Sequence, residues 1–274
     1  MLRTRFGVRL LLTLFALLPL TASAAFKADV PTVLITGANR GIGFELARQY
    51  AERGWNVIAT SRRPADDAGL ADLRSVAAKH PNLVIERIDV TDTAMIRGLA
   101  ARYHDQPIDI LINNAAAVED TFAADMKLAN LPYDQIDYDA ARHDFDVNTL
   151  GPMRMVEAFS KNVENSKLKK IATVTSLAGS FTRGLPGATG MNYSASKAAL
   201  NKYMTMLAFA MKAKGVLVGL YQPIFVASKK DMKQMANAEP VDQSVAKLIK
   251  QIDALDASRA GKITNWQTGQ IDPF

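Results

Sequence analysis

The sequence predicts an α/β fold, a single doubly wound parallel sheet with helices on both faces. Apolar runs rich in β-branched residues alternate along the chain with segments of helical periodicity. Strands separated by helices pair in parallel through right-handed crossovers. The chain has 274 residues and is 49% hydrophobic, so it can bury the core of one large α/β domain.

Seven apolar runs are expected to be the strands of this sheet. They lie at 30–36, 56–60, 83–88, 108–112, 170–175, 216–221 and 262–266. The longest helical patterns are 144–163 and 191–207. Ligands of open α/β sheets bind outside the carboxyl ends of the strands, so the residues that follow each strand are the candidate site.

The first 24 residues predict a secretory signal peptide. Three arginines precede an apolar run at 10–20, and Ala22-Ser23-Ala24 follows it. The run is too short for a comfortable membrane span. Cleavage after Ala24 would leave a domain of residues 25–274 in the periplasm or outside the cell. The alternatives are an uncleaved membrane anchor or a mis-assigned start codon, which would leave the protein anchored or cytoplasmic.

Composition excludes several function classes. Without the signal peptide, 30 basic residues face 27 acidic ones, a formal charge of +3 that is too mild to indicate nucleic-acid binding. The absence of cysteine excludes disulfides, zinc–thiolate sites and thiol catalysis. His80, His104 and His143 have no metal-ligand spacing, so no metal is expected.

A glycine-rich turn, TGANRGIG at 36–43, links the first strand to the first helical pattern and indicates a dinucleotide site. Gly37 allows a tight turn, Gly41 lets the backbone approach a pyrophosphate, and Gly43 allows close packing of helix on strand. The phosphates would lie at the helix N-terminus, where free N–H groups favour an anion. The cofactor-binding residues expected here are Gly37, Asn39, Arg40, Gly41, Ile42 and Gly43.

The end of the second strand, at Ser61 and Arg62, bears on the choice of dinucleotide. An acidic residue there would bind a ribose 2′-hydroxyl, whereas an arginine accommodates a 2′-phosphate. Arg62 therefore predicts NADP in preference to NAD, and Arg40 could supply a second cation unless either side chain is simply solvated. Asp89 and Val90 follow the third strand, where they would line an adenine pocket.

Tyr193 and Lys197 stand one helical turn apart near the start of the pattern 191–207, and such side chains share a helix face. An ammonium group beside a phenol favours the ionised phenol and lowers a pKa that is ordinarily about 10. The pair would then be a usable acid/base near neutral pH. Taken alone, this spacing is more often found on a solvated helix.

Six motifs occur in one order and context. They are TGANRGIG at 36–43, DV at 89–90, NNAA at 113–116, Asn148, Ser176 and YSASK at 193–197. With these motifs the sequence resembles the short-chain dehydrogenase/reductase family over about residues 30–274. Its tail, 261–274, resembles the carbonyl-reductase-like branch that includes the C-factor proteins. The resemblance implies a Rossmann fold and hydride transfer between NADP(H) and a small-molecule carbonyl or alcohol.

The resemblance also implies catalytic roles. Tyr193 would give a proton to the carbonyl oxygen, Lys197 would hold the ribose hydroxyls and lower the tyrosine pKa, and Ser176 would bind the carbonyl oxygen. Asn148, on the helix 144–163, would anchor a water-mediated proton relay. Further cofactor contacts are expected at Asn114, Ala115, Pro223, Val226 and Ser228.

The spacing of the serines leaves a choice. Ser180 lies 13 residues before Tyr193, the usual family distance, and Ser176 lies 17 before it. Ser176 emerges directly from the carboxyl end of the strand 170–175, where the reactive ring must lie, so it is predicted to be the carbonyl-binding serine.

One departure from the family motivates an alternative function. Ile224 stands where the family has glycine, which removes backbone freedom from the loop leading into a substrate lid near 224–240. Together with the export signal, Ile224 leaves open a dinucleotide-binding sensor with little turnover. A homodimer through the helices carrying Asn148 and Tyr193 is also possible, although the long segment 122–139 could block that surface.

Overall fold

The computed structural model describes residues 26–118, 134, 136–183, 190–228 and 238–273. The signal peptide, most of the segment 122–139 and residues 229–237 of the expected lid lie outside these ranges. No helix in the described ranges is long and apolar enough to cross a membrane.

One eight-stranded sheet organises the fold, in the order β3-β2-β1-β4-β5-β6-β7-β8. The strands are β1 (Thr32–Ile35), β2 (Asn56–Ser61), β3 (Leu83–Arg87), β4 (Ile110–Asn113), β5 (Lys170–Val174), β6 (Leu217–Gln222), β7 (Ile263–Asn265) and β8 (Ile271–Asp272). Each of the first seven pairs in parallel, which confirms the predicted fold class. The unpredicted β8 is antiparallel to β7 and is too short to leave a period-2 pattern in the sequence.

Helices cover both faces of this sheet. They are α1 (Gly41–Glu52), α2 (Ala71–Lys79), α3 (Thr93–Arg102), α4 (Tyr138–Phe145), α5 (Gly151–Glu164), α6 (Met191–Met211) and α7 (Val241–Asp253). In β1, Val33 and Ile35 pack into the core beneath α1, α2 and α7, whereas Leu34 packs into the core beneath α3, α5 and α6. All three are fully buried, and each contributes roughly 1.5 to 3 kcal/mol by leaving water.

The helix starts differ in a way that matters for the site. Asp92 and Asp137 cap α3 and α4, accepting hydrogen bonds from Met95 N (2.9 Å) and Ala140 N (3.0 Å). Helix α1 begins after an extended Arg40 with no side-chain cap. No side chain therefore caps its first N–H groups, and the positive end of the helix dipole lies at the end of β1.

Between α4 and α5 the chain makes a π-helical turn, Asp146–Leu150, which contains Asn148. Here Gly151 N–H donates to the carbonyl of Asp146, five residues back. Pro152 has no N–H to offer the Asn148 carbonyl four residues before it, so regular α-helical bonding is interrupted at this point. The helix predicted over 144–163 is thus two helices joined by a π turn, a feature often found at functional sites.

Phe26 and Lys27 attach the start of the described chain to the amino end of β2. The Phe26 ring stacks on Tyr103 with centroids 6.3 Å apart. Lys27 N donates to Asn56 Oδ1 at 3.1 Å, and Asn56 Nδ2 donates back to Lys27 O at 2.9 Å. The chain therefore enters the domain at the edge of the sheet opposite the carboxyl ends.

Candidate active site

The carboxyl ends of β1 and β4 lie side by side at the point where the strand order reverses, and side chains tie them together. Asn114 Nδ2 donates to Thr36 O at 2.9 Å and to Gly37 O at 3.2 Å. The Thr36 hydroxyl accepts from Asn114 N and Ala115 N, each at 3.0 Å. Thr36, which the sequence analysis did not select, thus builds the crevice where a dinucleotide binds in such sheets.

The glycine-rich turn has the backbone that its residues predicted. Gly37 and Gly41 have φ values of +68° and +57°, which a residue with a side chain rarely adopts. A Cβ at Gly43 would lie 2.2 Å from the Gly37 carbonyl oxygen, so glycine is required there by packing. Asn39 and Ile42 lie partly buried within the turn.

The loop after β6 folds toward this turn. A Cβ on Gly41 would lie 3.3 Å from Ser228 O, so Ser228 lies beside the glycine-rich turn. Val226 is 2% exposed, and Pro223 is partly buried. Ile224 has an ordinary negative φ, and its N–H donates to Gln267 Oε1 at 2.6 Å. The substitution of isoleucine for glycine therefore introduces no left-handed backbone strain.

Cationic side chains border the adenine-side end of the crevice. Arg63 is paired with Asp67 at 2.9 Å, whereas in the described part of the chain Arg62 is exposed and has no salt bridge. Arg40 is also exposed. Among the described residues, neither the Arg40 nor the Arg62 guanidinium group forms a salt bridge.

Asp89 is held in place beside these cations. Its carboxylate accepts from Thr91 N at 3.0 Å and from the Thr91 hydroxyl at 2.7 Å. Burial acts to raise the pKa of Asp89, but these hydrogen bonds and the charge of Arg62 outweigh it, and the pKa is lowered. Val90, the next residue, is 8% exposed and contacts the start of α5, since a Cβ on Gly151 would lie 2.9 Å from its side chain.

Lys197 and Tyr193 lie together on α6. Lys197 is 2% exposed, and its Nζ donates to Val174 O at 3.1 Å. The same Nζ lies 5.7 Å from the centroid of the Tyr193 ring. Burial lowers the pKa of Lys197 to about 8, while the charge of Asp144 acts in the opposite direction.

Tyr193 does not have the lowered pKa that the sequence predicted from its lysine neighbour. Burial raises the pKa of Tyr193, a hydrogen bond with the Ser176 hydroxyl lowers it, and the charge of Asp144 raises it. The expectation was wrong because it counted the ammonium group and omitted desolvation. A phenol with a raised pKa remains protonated at neutral pH, as a proton donor must.

The two candidate serines face different surroundings. Ser176, two residues after β5, accepts from Ala178 N at 3.2 Å and lies close enough to Tyr193 for its hydroxyl to lower the tyrosine pKa. The Ser180 hydroxyl instead donates to Pro273 O at 3.4 Å and accepts from Arg183 N at 3.0 Å. The structure therefore brings Ser176 to the tyrosine and directs Ser180 toward the C-terminal tail.

Asn148 is fully buried, and its side chain joins three segments. Its Oδ1 accepts from Ala117 N at 2.8 Å, and its Nδ2 donates to Ala117 O at 2.9 Å and to Ser196 Oγ at 3.0 Å. Both amide hydrogens are thus used by the protein. The side chain fixes the loop after β4 against α6, directly beside Lys197.

Three further buried polar residues belong to this region, and no sequence motif marked them. Thr175 Oγ1 donates to Asn201 Oδ1 at 2.5 Å, and Asn201 Nδ2 donates to Gly179 O at 3.2 Å, which holds the turn after Ser176 against α6. Asp144, fully buried on α4, acts electrostatically on both Tyr193 and Lys197. Their signal is polarity at positions that should be buried, on a helix for Asp144 and Asn201 and at the end of a strand for Thr175, and it is visible only once the buried faces are known.

The chain belongs to the short-chain dehydrogenase family, whose model matches residues 31–257. A 1-hydroxy-2-glutathionyl-2-methyl-3-butene dehydrogenase of Rhodococcus sp. (strain AD45) is 31% identical over 235 residues, covering 84% of this chain and 94% of that protein. A 3-oxoacyl-(acyl-carrier-protein) reductase of Synechocystis sp. is 31% identical over 214 residues, covering 77% and 80%. Membership identifies the protein as an oxidoreductase of this family.

Among solved structures, the NADPH-bound carbonyl reductase from chicken fatty liver is similar to this chain. The two share 27% identity with a TM-score of 0.77, over 89% of this chain and 99% of that one. Similarity thus extends over nearly the whole of a structure that contains NADPH.

Proposed function

We propose that the protein is an NADP-dependent reductase of ketones or aldehydes. The observation that carries this proposal is the contact of Ser176 with Tyr193, beside the buried Lys197, next to the crevice formed by the glycine-rich turn. Tyr193, as the proton donor, and Ser176, as the hydroxyl that binds the carbonyl oxygen, would thus lie beside the nicotinamide ring.

The residues of the crevice fit NADP. The uncapped start of α1 offers backbone N–H groups to the pyrophosphate, and Gly37, Gly41 and Gly43 keep that approach clear of side chains. Arg62 and Arg40 would bind the 2′-phosphate, since neither is engaged in a salt bridge within the described ranges. Lys197 would hold the ribose hydroxyls of the nicotinamide half.

When bound, NADPH supplies the hydride that reduces the carbonyl carbon. Ser176 orients the carbonyl oxygen by hydrogen bonding, and Tyr193 donates its phenolic proton to that oxygen as negative charge develops there. The raised pKa of Tyr193 keeps this proton in place at neutral pH. Asn148 holds the loop after β4 and α6 at fixed separation, which maintains the geometry of the pair.

A cofactor-oxidation assay against a panel of ketones and aldehydes tests the proposal. We expect NADPH-dependent turnover, with NADPH preferred over NADH by tenfold or more, because charge-assisted contacts to the 2′-phosphate contribute roughly 1.5 to 3 kcal/mol each. Arg62→Asp should reverse this preference. Equal calorimetric affinity of the unmodified protein for both cofactors would contradict the assignment of Arg62.

A sensor with little turnover is the alternative that the panel also tests. Tight NADPH binding without turnover on any carbonyl would favour it. It was suggested by Ile224 together with the export signal, and of these two Ile224 lies in the loop without a positive φ.

We further propose export, with cleavage after Ala24. Phe26 and Lys27 are bound to the domain, so a chain beginning at residue 25 would retain these contacts. N-terminal sequencing of protein from a native-like host tests this. An intact Met1 chain in the cytosol would contradict export.

Homodimer formation is proposed through the outer face of α6 and the start of α5. Large apolar side chains are exposed there, namely Leu150 (41%), Tyr203 (47%), Met206 (55%) and Phe209 (72%). Such a cluster on a helix whose other face is already buried is typical of an interface. Light scattering should give a dimer mass that Phe209→Glu reduces to a monomer. A monomeric unmodified protein would refute the proposal.

A further inference from the structure

The C-terminal hairpin of β7 and β8 brings a buried carboxylate, Asp272, to the end of β6. Asp272 pairs with Ile263 across the hairpin and is 6% exposed. Its Oδ2 accepts a hydrogen bond from Nε2 of Gln222, the last residue of β6. Gln222 is 3% exposed and directly precedes Pro223, where the loop toward the cofactor begins.

The second oxygen of the same carboxylate binds the segment that follows Ser176. Asp272 Oδ1 accepts from Arg183 Nη1 at 2.5 Å, and the next residue, Pro273, accepts from the Ser180 hydroxyl at 3.4 Å. The tail thus contacts residues 177–183, named here the substrate-side segment, at two points. At its other end this segment follows Ser176, which lies beside Tyr193.

The charge and shape of a carboxylate suit this position. Both oxygens of Asp272 accept from donors on different segments, and an asparagine would turn an NH₂ group toward one of those donors. Losing the Arg183 partner would leave a buried carboxylate without its cation, with the Gln222 amide still donating one hydrogen bond to it. The arrangement therefore depends on both partners together.

We propose that Asp272 is a positioning residue that holds the substrate-side segment against the end of β6, and so fixes the width of the carbonyl-binding cleft. The proposal rests on the proposed function, since it takes the carbonyl to bind at Ser176 and Tyr193. Arg183 is the partner through which Asp272 acts. Neither residue touches the reacting atoms.

The test combines hydrogen exchange with kinetics on the full-length protein. Asp272→Asn, Arg183→Met and the double variant are compared with Arg97→Met, which removes the same cation from an exposed salt bridge with Glu157. We expect faster amide exchange in residues 177–183 for the first three proteins only. KM for the carbonyl substrate should rise about five- to tenfold, with the Kd of NADPH within twofold of the unmodified protein.

The double variant decides between positioning and general stability. If Asp272 acts through Arg183, the double variant should be no worse than either single variant. Unchanged exchange in 177–183 for Arg183→Met would overturn the proposal, and so would a parallel loss of NADPH affinity and thermal stability in both single variants. The exchange measurement needs no substrate, so it remains decisive even if the carbonyl panel shows no turnover and the proposed function fails.

Discussion

The two halves of the sheet's carboxyl edge are built by different means. On the nucleotide side, after β1 and β2, backbone conformation within a few consecutive residues makes the site, through the left-handed Gly37 and Gly41 and the crowded Gly43. On the catalytic side, after β4 to β6, buried side chains from distant segments make it. Asn148 reaches Ala117 and Ser196, and Asp272 reaches Arg183 and Gln222.

This difference predicts opposite sensitivities. The nucleotide side should keep its fold when exposed side chains such as Arg62 change, although cofactor preference then changes, and it should fail when a Cβ is added to its turn. The catalytic side should fail when a single polar atom is removed, because its groups are buried and each has few partners. The predictions below test this contrast, beginning with the largest expected effect.

Tyr193→Phe removes one oxygen from the catalytic side and should have the largest effect. Turnover is expected to fall roughly 10²- to 10⁴-fold, since the transferable proton is lost, with cofactor affinity within a few-fold. Steady-state kinetics on an identified carbonyl and calorimetric titration with NADPH check both parts. An unchanged rate would remove Tyr193 from the mechanism.

Ser176→Ala should follow, with turnover reduced about 10²- to 10³-fold by the loss of a donor to the carbonyl oxygen. Ser180→Ala is the matched control, because its hydroxyl faces the C-terminal tail, and it should be nearly silent. The opposite ranking in the same assay would transfer the carbonyl-binding role to Ser180.

Gly43→Ala tests the nucleotide side. The new Cβ would lie 2.2 Å from the Gly37 carbonyl oxygen, so the turn must shift. We expect NADPH to bind roughly tenfold more weakly and the free energy of unfolding to fall by about 1 to 3 kcal/mol. Turnover at saturating cofactor should change little.

Gly98→Ala is the control for that experiment, because a Cβ at Gly98 on α3 meets no atom within 4 Å. It should leave NADPH affinity unchanged and raise stability by up to about 1 kcal/mol. Equal NADPH affinity in the two glycine variants would show that the turn can move to make room for the added Cβ without weakening cofactor binding.

The same contrast explains what the sequence could predict. The strand–turn–helix unit and its glycines are local, and the structure has a positive φ at Gly37 and Gly41 and no room for a Cβ at Gly43. The seven parallel strands were likewise predicted from apolar runs in the sequence. The Thr175–Asn201 bond and the Asp272–Arg183 pair join residues far apart in the chain, and no local pattern encodes them. The pKa of Tyr193 was mispredicted for the same reason, since burial depends on the whole fold.

The smallest predicted effect concerns Asp144, whose buried charge acts on the catalytic pair from α4. Its carboxylate acts to raise the pKa of both Tyr193 and Lys197. For Lys197 burial has the larger and opposite effect, and the pKa is lowered to about 8. Asp144→Asn should therefore lower both pKa values. Because reduction requires a protonated Tyr193, the basic limb of the pH–rate profile should move to lower pH, and turnover at a pH on that limb should fall a few-fold.

The direction of that shift separates an electrostatic role for Asp144 from a purely structural one. Removing the nearby negative charge makes Tyr193 and Lys197 each lose a proton more easily, whereas a purely structural change gives no such direction. Asp139→Asn removes an equal charge from an exposed site on α4, where Asp139 pairs with Arg142, and solvent should screen its effect. Profiles of the unmodified protein and both variants, measured at saturating NADPH, check this. A basic limb that stays in place in Asp144→Asn, or moves equally in Asp139→Asn, would show that Asp144 does not tune the catalytic pair.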